Sequence, residues 1–274
     1  MLIVAQYIVF ALGLTSLLAS FTAVAGQDFG YGNGPNGPQK WGDLKHEWTT
    51  CGAGKQQSPI DIPKIEVDDK NDKLGSLTRD YVDSKATLIN NGFNVELRYE
   101  EGVGSVTADG RNYSLQQLNW HTPSEHTLNG ERFPAELQMV HRTQDGLFAV
   151  VSILYQIGDE DTFLNQLMEG LKRLEKEKCD DNQEARISVG KVDNKALRRS
   201  TKKYFRYLGS LTTPPCTEFI SWTIMGKIRE MSQAQVDALK APLAEAYRNN
   251  SRPIQPLNGR TVMLFAENKD KPSV

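Results

Sequence analysis

The sequence has no excess of charge of either sign and no long basic run. Among its 274 residues, 32 lysines and arginines stand against 34 aspartates and glutamates, a formal net charge of −2. Nucleic-acid-binding domains usually carry a basic excess gathered on one face or along one helix. We therefore expect no nucleic acid among the partners of this protein.

Charge is also missing from the N-terminus, where no charged residue precedes Asp28 and residues 2–25 are almost continuously apolar. The segment ends in the small-x-small pattern AVA at 23–25, which a signal peptidase can cut. We predict a signal peptide over 1–25 and a domain over 26–274, although the usual basic start of a signal peptide is absent. The alternative is an uncleaved anchor, because the run could span a bilayer. Cleavage implies an extracellular or vacuolar location with no stable membrane association.

Cysteine is scarce, and the sequence has only Cys51, Cys179 and Cys216. In an oxidising compartment two of them could pair and leave one free, but their spacing does not say which two. N-glycosylation sequons begin at Asn112 and Asn249. They agree with secretion and predict a glycoprotein, although so short a motif also arises by chance.

The sequence has no internal repeat and few stretches with helical periodicity. Short alternating apolar stretches fill much of residues 86–155 and recur at 220–225, with turn motifs such as Asn129-Gly130 between them. We therefore predict one mostly-β (α+β) domain. An arm at about 27–40, rich in Gly, Pro and Asn, and a charged tail at about 267–274 are predicted to be mobile.

Two segments do have helical spacing. Apolar side chains recur at helix intervals over residues 161–178, which predicts one helix. A second helix should run from Gln233 to about residue 248. Ser232 can cap it, and Gln235 completes a capping box. Pro242 is expected to kink or interrupt this helix.

The sequence has only four histidines: His46, His121, His126 and His141. Because side chains alternate between the faces of a strand, Asn119 and His121 should share a face, and so should Glu136 and Gln138 on the next strand. Two facing strands with such inward pairs can build a three-histidine zinc site. The inward set here is Asn119, His121 and Gln138, and strand parity points His141 away from it.

This inward set offers one imidazole and two neutral amides. Zinc prefers imidazole nitrogen, thiolate and carboxylate, and an amide brings no charge and little donor strength. We therefore expect no cofactor, with zinc present only if this interpretation is wrong. His121 is expected to bond to neighbouring amides rather than to act as a lone metal ligand.

Motifs in the order of a known family extend from about Asp28 to Phe265. They are Trp41-Gly42, Gln57-Ser58-Pro59-Ile60, Asn90-Asn91-Gly92, Ser124-Glu125-His126-Thr127, Ala135-Glu136-Leu137, Gly209-Ser210-Leu211-Thr212-Thr213-Pro214-Pro215-Cys216, Ser221-Trp222 and Arg252-Pro253-Ile254-Gln255-Pro256. On these residues the chain resembles the alpha-carbonic anhydrases, in particular their secreted plant branch. The resemblance implies a large, mostly antiparallel sheet with peripheral helices, and an active-site cone that leads to zinc.

The resemblance implies that the three zinc histidines of the family fall on Asn119, His121 and Gln138, so that only the second is kept. The proton-shuttle histidine of the family would follow Gly92, where this sequence has Phe93. Both the metal ligands and the shuttle therefore depart from the family pattern.

Other parts of the site match. The resemblance gives Thr212 and Glu125 the role of orienting a zinc-bound hydroxide, and without metal we expect them to form a buried hydrogen bond. Glu136 matches the carboxylate behind the third histidine, and here it could accept a hydrogen bond from the amide of Gln138. The resemblance also implies a disulfide between Cys51 and Cys216. The matched pocket walls are Gln117, Val150, Leu211, Thr213 and Trp222.

These observations predict a secreted carbonic anhydrase-like protein with a degenerate zinc site and little or no activity. The resemblance to dioscorins, tuber storage proteins of the same fold with altered zinc ligands, suggests a storage role. The alternatives are residual zinc-dependent CO2 hydration, an ascorbate-linked reductase activity that would need Cys179 or the paired cysteines, and a module that binds a small anion or other small molecule. The chain could be a monomer or a homodimer.

Overall fold

A computed structural model describes residues 28–65, 74–100, 102–177, 184–198 and 203–267. The predicted signal peptide, the tail after Glu267 and Cys179 lie outside these residues. The described strands are β1 (Asp61–Ile62), β2 (Thr78–Arg79), β3 (Ser84–Asn90), β4 (Val95–Tyr99), β5 (Ser105–Ala108), β6 (Arg111–His121), β7 (Thr127–Leu128), β8 (Glu131–Arg132), β9 (Ala135–Arg142), β10 (Phe148–Ile157), β11 (Ala185–Val192), β12 (Lys203–Ser210), β13 (Glu218–Met225), β14 (Arg229–Met231) and β15 (Met263–Ala266).

Twelve of the described strands form one large sheet, which confirms the mostly-β prediction. Its main order is β11-β3-β4-β6-β9-β10-β13-β12-β15, with β5 and β14 attached to β6 and β10, and β2 attached to β5. Most neighbours are antiparallel, whereas β10 runs parallel to β13 and β14. A separate small sheet has the order β1-β7-β8.

The central strands β9 and β10 are buried on both faces. Along β10, Val151 and Ile153 belong to one apolar cluster, and Val150 and Leu154 belong to another on the opposite face. This arrangement explains the nearly continuous apolar run of β10, because a strand covered on both sides needs no polar face. The second cluster lies on the face that also carries Gln138, whose register partner on β10 is Ser152.

Five short α-helices occur in the described part of the chain: α1 (Trp41–Leu44), α2 (Thr50–Ala53), α3 (Thr162–Asn165), α4 (Met168–Leu174) and α5 (Gln233–Lys240). The prediction of one helix over 161–178 was wrong, because α3 and α4 are separate. Between them, the side-chain amide of Gln166 accepts from the backbone N–H of Asp193 and donates to its carbonyl. The backbone N–H of Leu167 donates to the carbonyl of Leu164, a tighter turn that separates the two helices and that periodicity alone could not reveal.

The start of α5 confirms the predicted capping box. The Ser232 side chain accepts from the backbone of Gln235, whose own side chain accepts from the backbone of Ser232. The helix ends at Lys240, two residues before Pro242, and a 3-10 turn at Glu245–Tyr247 follows. The expected interruption at the proline is therefore present.

The N-terminal arm is irregular but packed. Phe29 is buried and makes an edge-to-face contact with Trp41, with ring centroids 5.1 Å apart. The indole Nε1 of Trp41 donates to the carbonyl of Gly30, and the hydroxyl of Tyr247 donates to that of Phe29. These contacts hold Phe29 and Gly30 against the domain, while the mobility of the arm as a whole stays a prediction.

The predicted disulfide is present between Cys51 in α2 and Cys216, in the loop before β13. The sequon residues Asn112 and Asn249 are both exposed, as a glycosylation site requires, while their modification stays a prediction. None of the helices within the described ranges is long and apolar enough to cross a membrane.

Candidate functional site

Strands β6 and β9 bring the three expected ligand positions together. Asn119 lies directly opposite Gln138 in the register, and His121 lies opposite Glu136. Residues paired in this way share a sheet face and have Cβ atoms about 5 Å apart. We call Asn119, His121 and Gln138 the ligand layer.

His141 lies on the other face of β9, as strand parity predicts. Its Nε2 is 2.6 Å from the hydroxyl of Tyr81, and the ring is fully buried. Burial lowers the pKa of His141 to about 3, so this imidazole stays neutral near neutral pH. It contributes to the core and not to the ligand layer.

His121 is oriented by the backbone. Its Nδ1 lies 2.7 Å from the carbonyl oxygen of Asn250, and because a carbonyl only accepts, Nδ1 carries the proton. Its Nε2 lies 3.7 Å from Oε2 of Glu125. The predicted partner was a neighbouring amide, whereas the partner found is a main-chain carbonyl.

Gln138 connects two buried carboxylates. Its Nε2 donates to Oε2 of Glu125 at 2.8 Å and to Oε1 of Glu136 at 3.1 Å. The bond to Glu136 was predicted, and the bond to Glu125 was not. One neutral amide thus satisfies two acids at the position where the resemblance places a zinc-binding histidine.

The hydrogen bond expected between Thr212 and Glu125 is absent from the described part of the chain. Oε2 of Glu125 accepts from Gln138, and Oε1 accepts from the backbone N–H of Arg252 at 3.0 Å. Both oxygens are therefore engaged by other donors. The prediction of a Thr212–Glu125 bond was wrong.

Glu136 is the centre of a closed hydrogen-bond network beneath the ligand layer. Oε1 accepts from Nδ1 of His126 at 2.8 Å and from the hydroxyl of Ser152 at 2.7 Å, and Oε2 accepts from the backbone N–H groups of Glu125 and His126. Nε2 of His126 lies 2.7 Å from the hydroxyl of Tyr207. We call these five residues the carboxylate network.

The network determines the protonation of Glu136. Burial by itself raises the pKa of this carboxyl, but the charge of His126 and the hydrogen bonds from His126 and Ser152 outweigh it and lower the pKa to about 2. Glu136 is therefore ionised at neutral pH although it is fully buried.

The pocket walls are placed as the resemblance implied. Val150 and Trp222 belong to the apolar cluster on the pocket face, with Leu211 packed against it. Nε2 of Gln117 donates to Oδ1 of Asn119 at 3.3 Å, and the backbone of Thr213 closes the turn that leads to the disulfide.

At the shuttle position, Phe93 packs against Phe29 with ring centroids 5.1 Å apart. A benzyl side chain carries no titratable group, so this position cannot relay a proton.

The sequence analysis missed Glu96. Its register partner is Asn119, so it lies next to the ligand layer on the same face, and it is 3% exposed. Oε1 of Glu96 accepts from Nε of Arg98 at 2.6 Å. Burial raises the pKa of Glu96, and Arg98 opposes that rise. The strand itself was predicted, but without the pairing of β4 with β6 nothing placed its carboxylate at the site.

The residues of the ligand layer do not fit zinc. Its one imidazole stands beside two amides, and Nε2 of Gln138 already donates to two carboxylates. Within the described residues, no group of three or more His, Cys, Asp or Glu side chains could hold a metal ion. Zinc sites usually combine three or four such ligands.

Comparisons with known proteins agree with this geometry. The sequence profile of the family "Eukaryotic-type carbonic anhydrase" matches residues 36–266. Alpha carbonic anhydrase 7 from Arabidopsis thaliana is 44% identical over 236 residues, which are 85% of this chain and 82% of that protein. Dioscorin DB3S from Dioscorea polystachya is 43% identical over 259 residues, 94% of each chain.

Solved structures show the same fold. A crystal structure of dioscorin complexed with ascorbate has 42% sequence identity and a TM-score of 0.82, and covers 88% of this chain and 99% of that one. The alpha-carbonic anhydrase from Thermovibrio ammonificans in complex with sulfanilamide has 34% identity and a TM-score of 0.73, with coverage of 86% and 98%. With its profile match and these relatives, the chain belongs to the alpha-carbonic anhydrase family.

Proposed function

We propose that this protein is a carbonic anhydrase homologue that neither holds zinc nor hydrates CO2. The observation that carries the proposal is the position of Gln138, whose amide donates to Glu125 and Glu136. An amide can offer a metal only its oxygen, which is neutral and a weak donor for zinc, and here the amide nitrogen is held by two acids.

The chemistry of the family reaction supports the same proposal. Hydration at neutral pH depends on a bound metal that lowers the pKa of water to about 7. The carboxylate that would orient the hydroxide, Glu125, is occupied by Gln138 and by the backbone of Arg252. Phe93 at the shuttle position offers no proton relay. Activation and proton removal are therefore both impaired.

The proposal includes a storage role after delivery through the secretory pathway. Its support is the resemblance to dioscorins, with 43% identity to dioscorin DB3S. Storage requires a stable fold and not an intact site, and the closed carboxylate network supplies stability without metal. High abundance of the protein in storage tissue would support this role, and uniformly low abundance would contradict it.

A second candidate is a small-molecule function of the pocket. It is favoured by the 42% identical dioscorin structure, which contains ascorbate. An ascorbate-linked reductase activity would need a redox group on this chain. Since Cys51 and Cys216 are joined, a free thiol could come only from Cys179.

Metal analysis of the purified full chain tests the main proposal. We expect well under 0.1 zinc per chain after dialysis against buffer with micromolar zinc, and CO2 hydration at the uncatalysed rate. An active alpha-carbonic anhydrase assayed in parallel is the control for the assay. About one zinc per chain together with hydration that a sulfonamide blocks would overturn the proposal.

A further inference from the structure

Asparagine followed by glycine is the pair of residues most prone to spontaneous loss of a side-chain amide. In this reaction the backbone nitrogen of the glycine attacks the side-chain carbonyl carbon of the asparagine, and a glycine has no Cβ to obstruct the approach. The attack needs a glycine N–H and an asparagine side chain that the fold leaves free. The sequence has five such pairs, which begin at Asn33, Asn36, Asn91, Asn129 and Asn258.

Hydrogen bonds hold the glycine N–H in three of these pairs. The N–H groups of Gly37, Gly92 and Gly130 donate to the carbonyl of Gly34 at 3.1 Å, to Oδ1 of Asn90 at 2.9 Å and to Oδ1 of Asp61 at 2.8 Å, respectively. In the middle pair the leaving group is held as well, because Nδ2 of Asn91 donates to Oδ1 of Asn94 at 2.7 Å. Each of these bonds must break before the glycine nitrogen can attack.

The pair at Asn258 is restrained in a different way. The N–H of Arg260 donates to the carbonyl of Leu257 at 3.0 Å and closes a turn around the pair. Asn258 and Gly259 have φ values of 51° and 76°, as in a type I′ turn. Nδ2 of Asn258 also donates to the carbonyl of Lys55 at 3.1 Å, so a distant segment holds the leaving amide.

Asn33 and Gly34 lack such restraints. Both residues are exposed, and within the ranges that the structure describes neither the Asn33 side chain nor the Gly34 N–H has a hydrogen-bond partner. The space beside Gly34 is open, since a Cβ built there would meet only Oδ1 of Asn36, at 3.7 Å. The nucleophile and the leaving group are therefore both available at this pair.

The pair at Asn36 provides a matched control in the same arm. Asn33 and Asn36 both stand in the sequence Asn-Gly-Pro. Gly37, however, is buried and its N–H is bonded, and the carbonyl of Asn36 accepts from the N–H of Gly30 at 2.8 Å and from Nε1 of Trp41 at 3.2 Å. Any difference in reactivity between the two asparagines must come from the fold, because their immediate neighbours are the same.

We propose that Asn33 is a site of spontaneous deamidation in the folded protein and that the fold protects the other four pairs. Hydroxide or water removes the proton of the Gly34 N–H, the nitrogen forms a bond to Cγ of Asn33, and Nδ2 leaves as ammonia with a proton from water. Water then opens the five-membered succinimide at either carbonyl, which gives aspartate or isoaspartate. The net change is one water consumed and one ammonia released.

The modification changes the arm in two ways. It adds one negative charge, and isoaspartate also lengthens the backbone by one methylene group, two residues after Tyr31, whose ring packs against Trp41 and Tyr247. Because the reaction needs only water, the modified fraction increases with the age of the molecule. The inference goes beyond the proposed function and does not depend on the metal content.

Incubation of the purified full chain at pH 8.5 tests the inference. Peptide mass spectrometry measures the loss of amide at each pair, and enzymatic methylation of isoaspartate identifies the product. We expect Asn33 to react about tenfold faster than each of the other four, because the loss of an ordinary hydrogen bond before the attack slows a reaction by about that factor. In the chain unfolded in urea, Asn33 and Asn36 should react at similar rates.

The variant Gly34→Ala tests the mechanism. It places a methyl group beside the attacking nitrogen, in a space that accepts one, and should slow the reaction at Asn33 about tenfold with an unchanged melting temperature. The matched control is Gly75→Ala, at another glycine with open space around it, which should leave the rate at Asn33 unchanged.

Four outcomes would overturn the inference. They are equal rates at Asn33 and Asn36 in the folded chain, a faster reaction at any other pair, an unchanged rate in Gly34→Ala, and formation of aspartate without isoaspartate. The last outcome would show direct hydrolysis of the amide, because opening of a succinimide gives both products.

Discussion

The ligand layer and the carboxylate network are adjacent in the fold and differ sharply. In the ligand layer, Asn119 and Gln138 stand where the family resemblance places zinc histidines. In the carboxylate network, Glu136 receives hydrogen bonds from His126, Ser152 and two backbone N–H groups, so both of its carboxylate oxygens are satisfied. In the family the positions of the ligand layer hold a metal, whereas the carboxylate network joins three strands and a loop, so a change in the ligand layer disturbs the fold less.

Restoring the ligand layer should give the largest effect. In the double variant Asn119→His with Gln138→His, we expect about one zinc per chain and a large rise in melting temperature, because a complete three-histidine site binds zinc strongly. Metal analysis measures the zinc content, and thermal unfolding with and without zinc measures the rise in melting temperature. Each single reversion should bind weakly, since one amide remains.

The control for that experiment is the triple variant in which His121→Ala is added. It should lose the zinc gained by the double variant. A double variant that stays free of metal would show that the carboxylate network no longer accommodates a metal site above it.

Breaking the carboxylate network should cost more stability than truncating the ligand layer. Glu136→Ala leaves buried donors of His126 and Ser152 and two backbone N–H groups without an acceptor, and we expect a loss of about 3–5 kcal/mol in the free energy of unfolding. Asn119→Ala removes one side-chain hydrogen bond, the one from Gln117, and should cost about 1 kcal/mol or less. Urea unfolding of both variants measures the difference, and equal losses would refute the contrast between the two layers.

Acid should weaken the carboxylate network and the core behind it but leave the amides of the ligand layer unchanged. The pKa of His141 is lowered to about 3 by burial, so the unfolded chain takes up a proton first as the pH falls below about 6.5. The stability that neutral His141 contributes is therefore full above pH 6.5 and is lost toward pH 3. The slope for one group is at most about 1.4 kcal/mol per pH unit.

Glu136 adds a second pH range, at lower pH, over which the protein loses stability. Its pKa of about 2 lies below the ordinary value of 4.5, so its contribution is full above pH 4.5 and is lost as the pH falls toward 2. Unfolding measured at intervals from pH 7 to 4.5 in the parent and in His141→Gln isolates the first range. An unchanged slope in that variant would show that His141 is not its source.

Much of the site could be predicted because it depends on local rules. Strand parity alone placed Asn119, His121 and Gln138 together and His141 behind them, since the side-chain period of a strand is fixed. The capping box at Ser232 followed from the spacing of two residues. The pairing of Cys51 with Cys216 came from the family resemblance and not from spacing.

The features of the site and the fold that the sequence did not predict depend on contacts made by the folded chain. Glu125 accepts from Gln138 and not from Thr212, and this choice depends on how the loop that carries Glu125 lies over β9. Glu96 lies at the site because the register of β4 with β6 places it opposite Asn119, and the alternation of apolar and polar residues does not specify that register. The segment 161–178 forms two helices, and at the break the side chain of Gln166 bonds to Asp193, a residue 27 positions away.

The disulfide between Cys51 and Cys216 has a consequence for the breakdown of the protein. The two cysteines are 165 residues apart, so the bond encloses more than half of the chain. A single proteolytic cut anywhere between them leaves both fragments covalently joined. Separating the two pieces after such a cut requires reduction of the disulfide or further cleavage beside it.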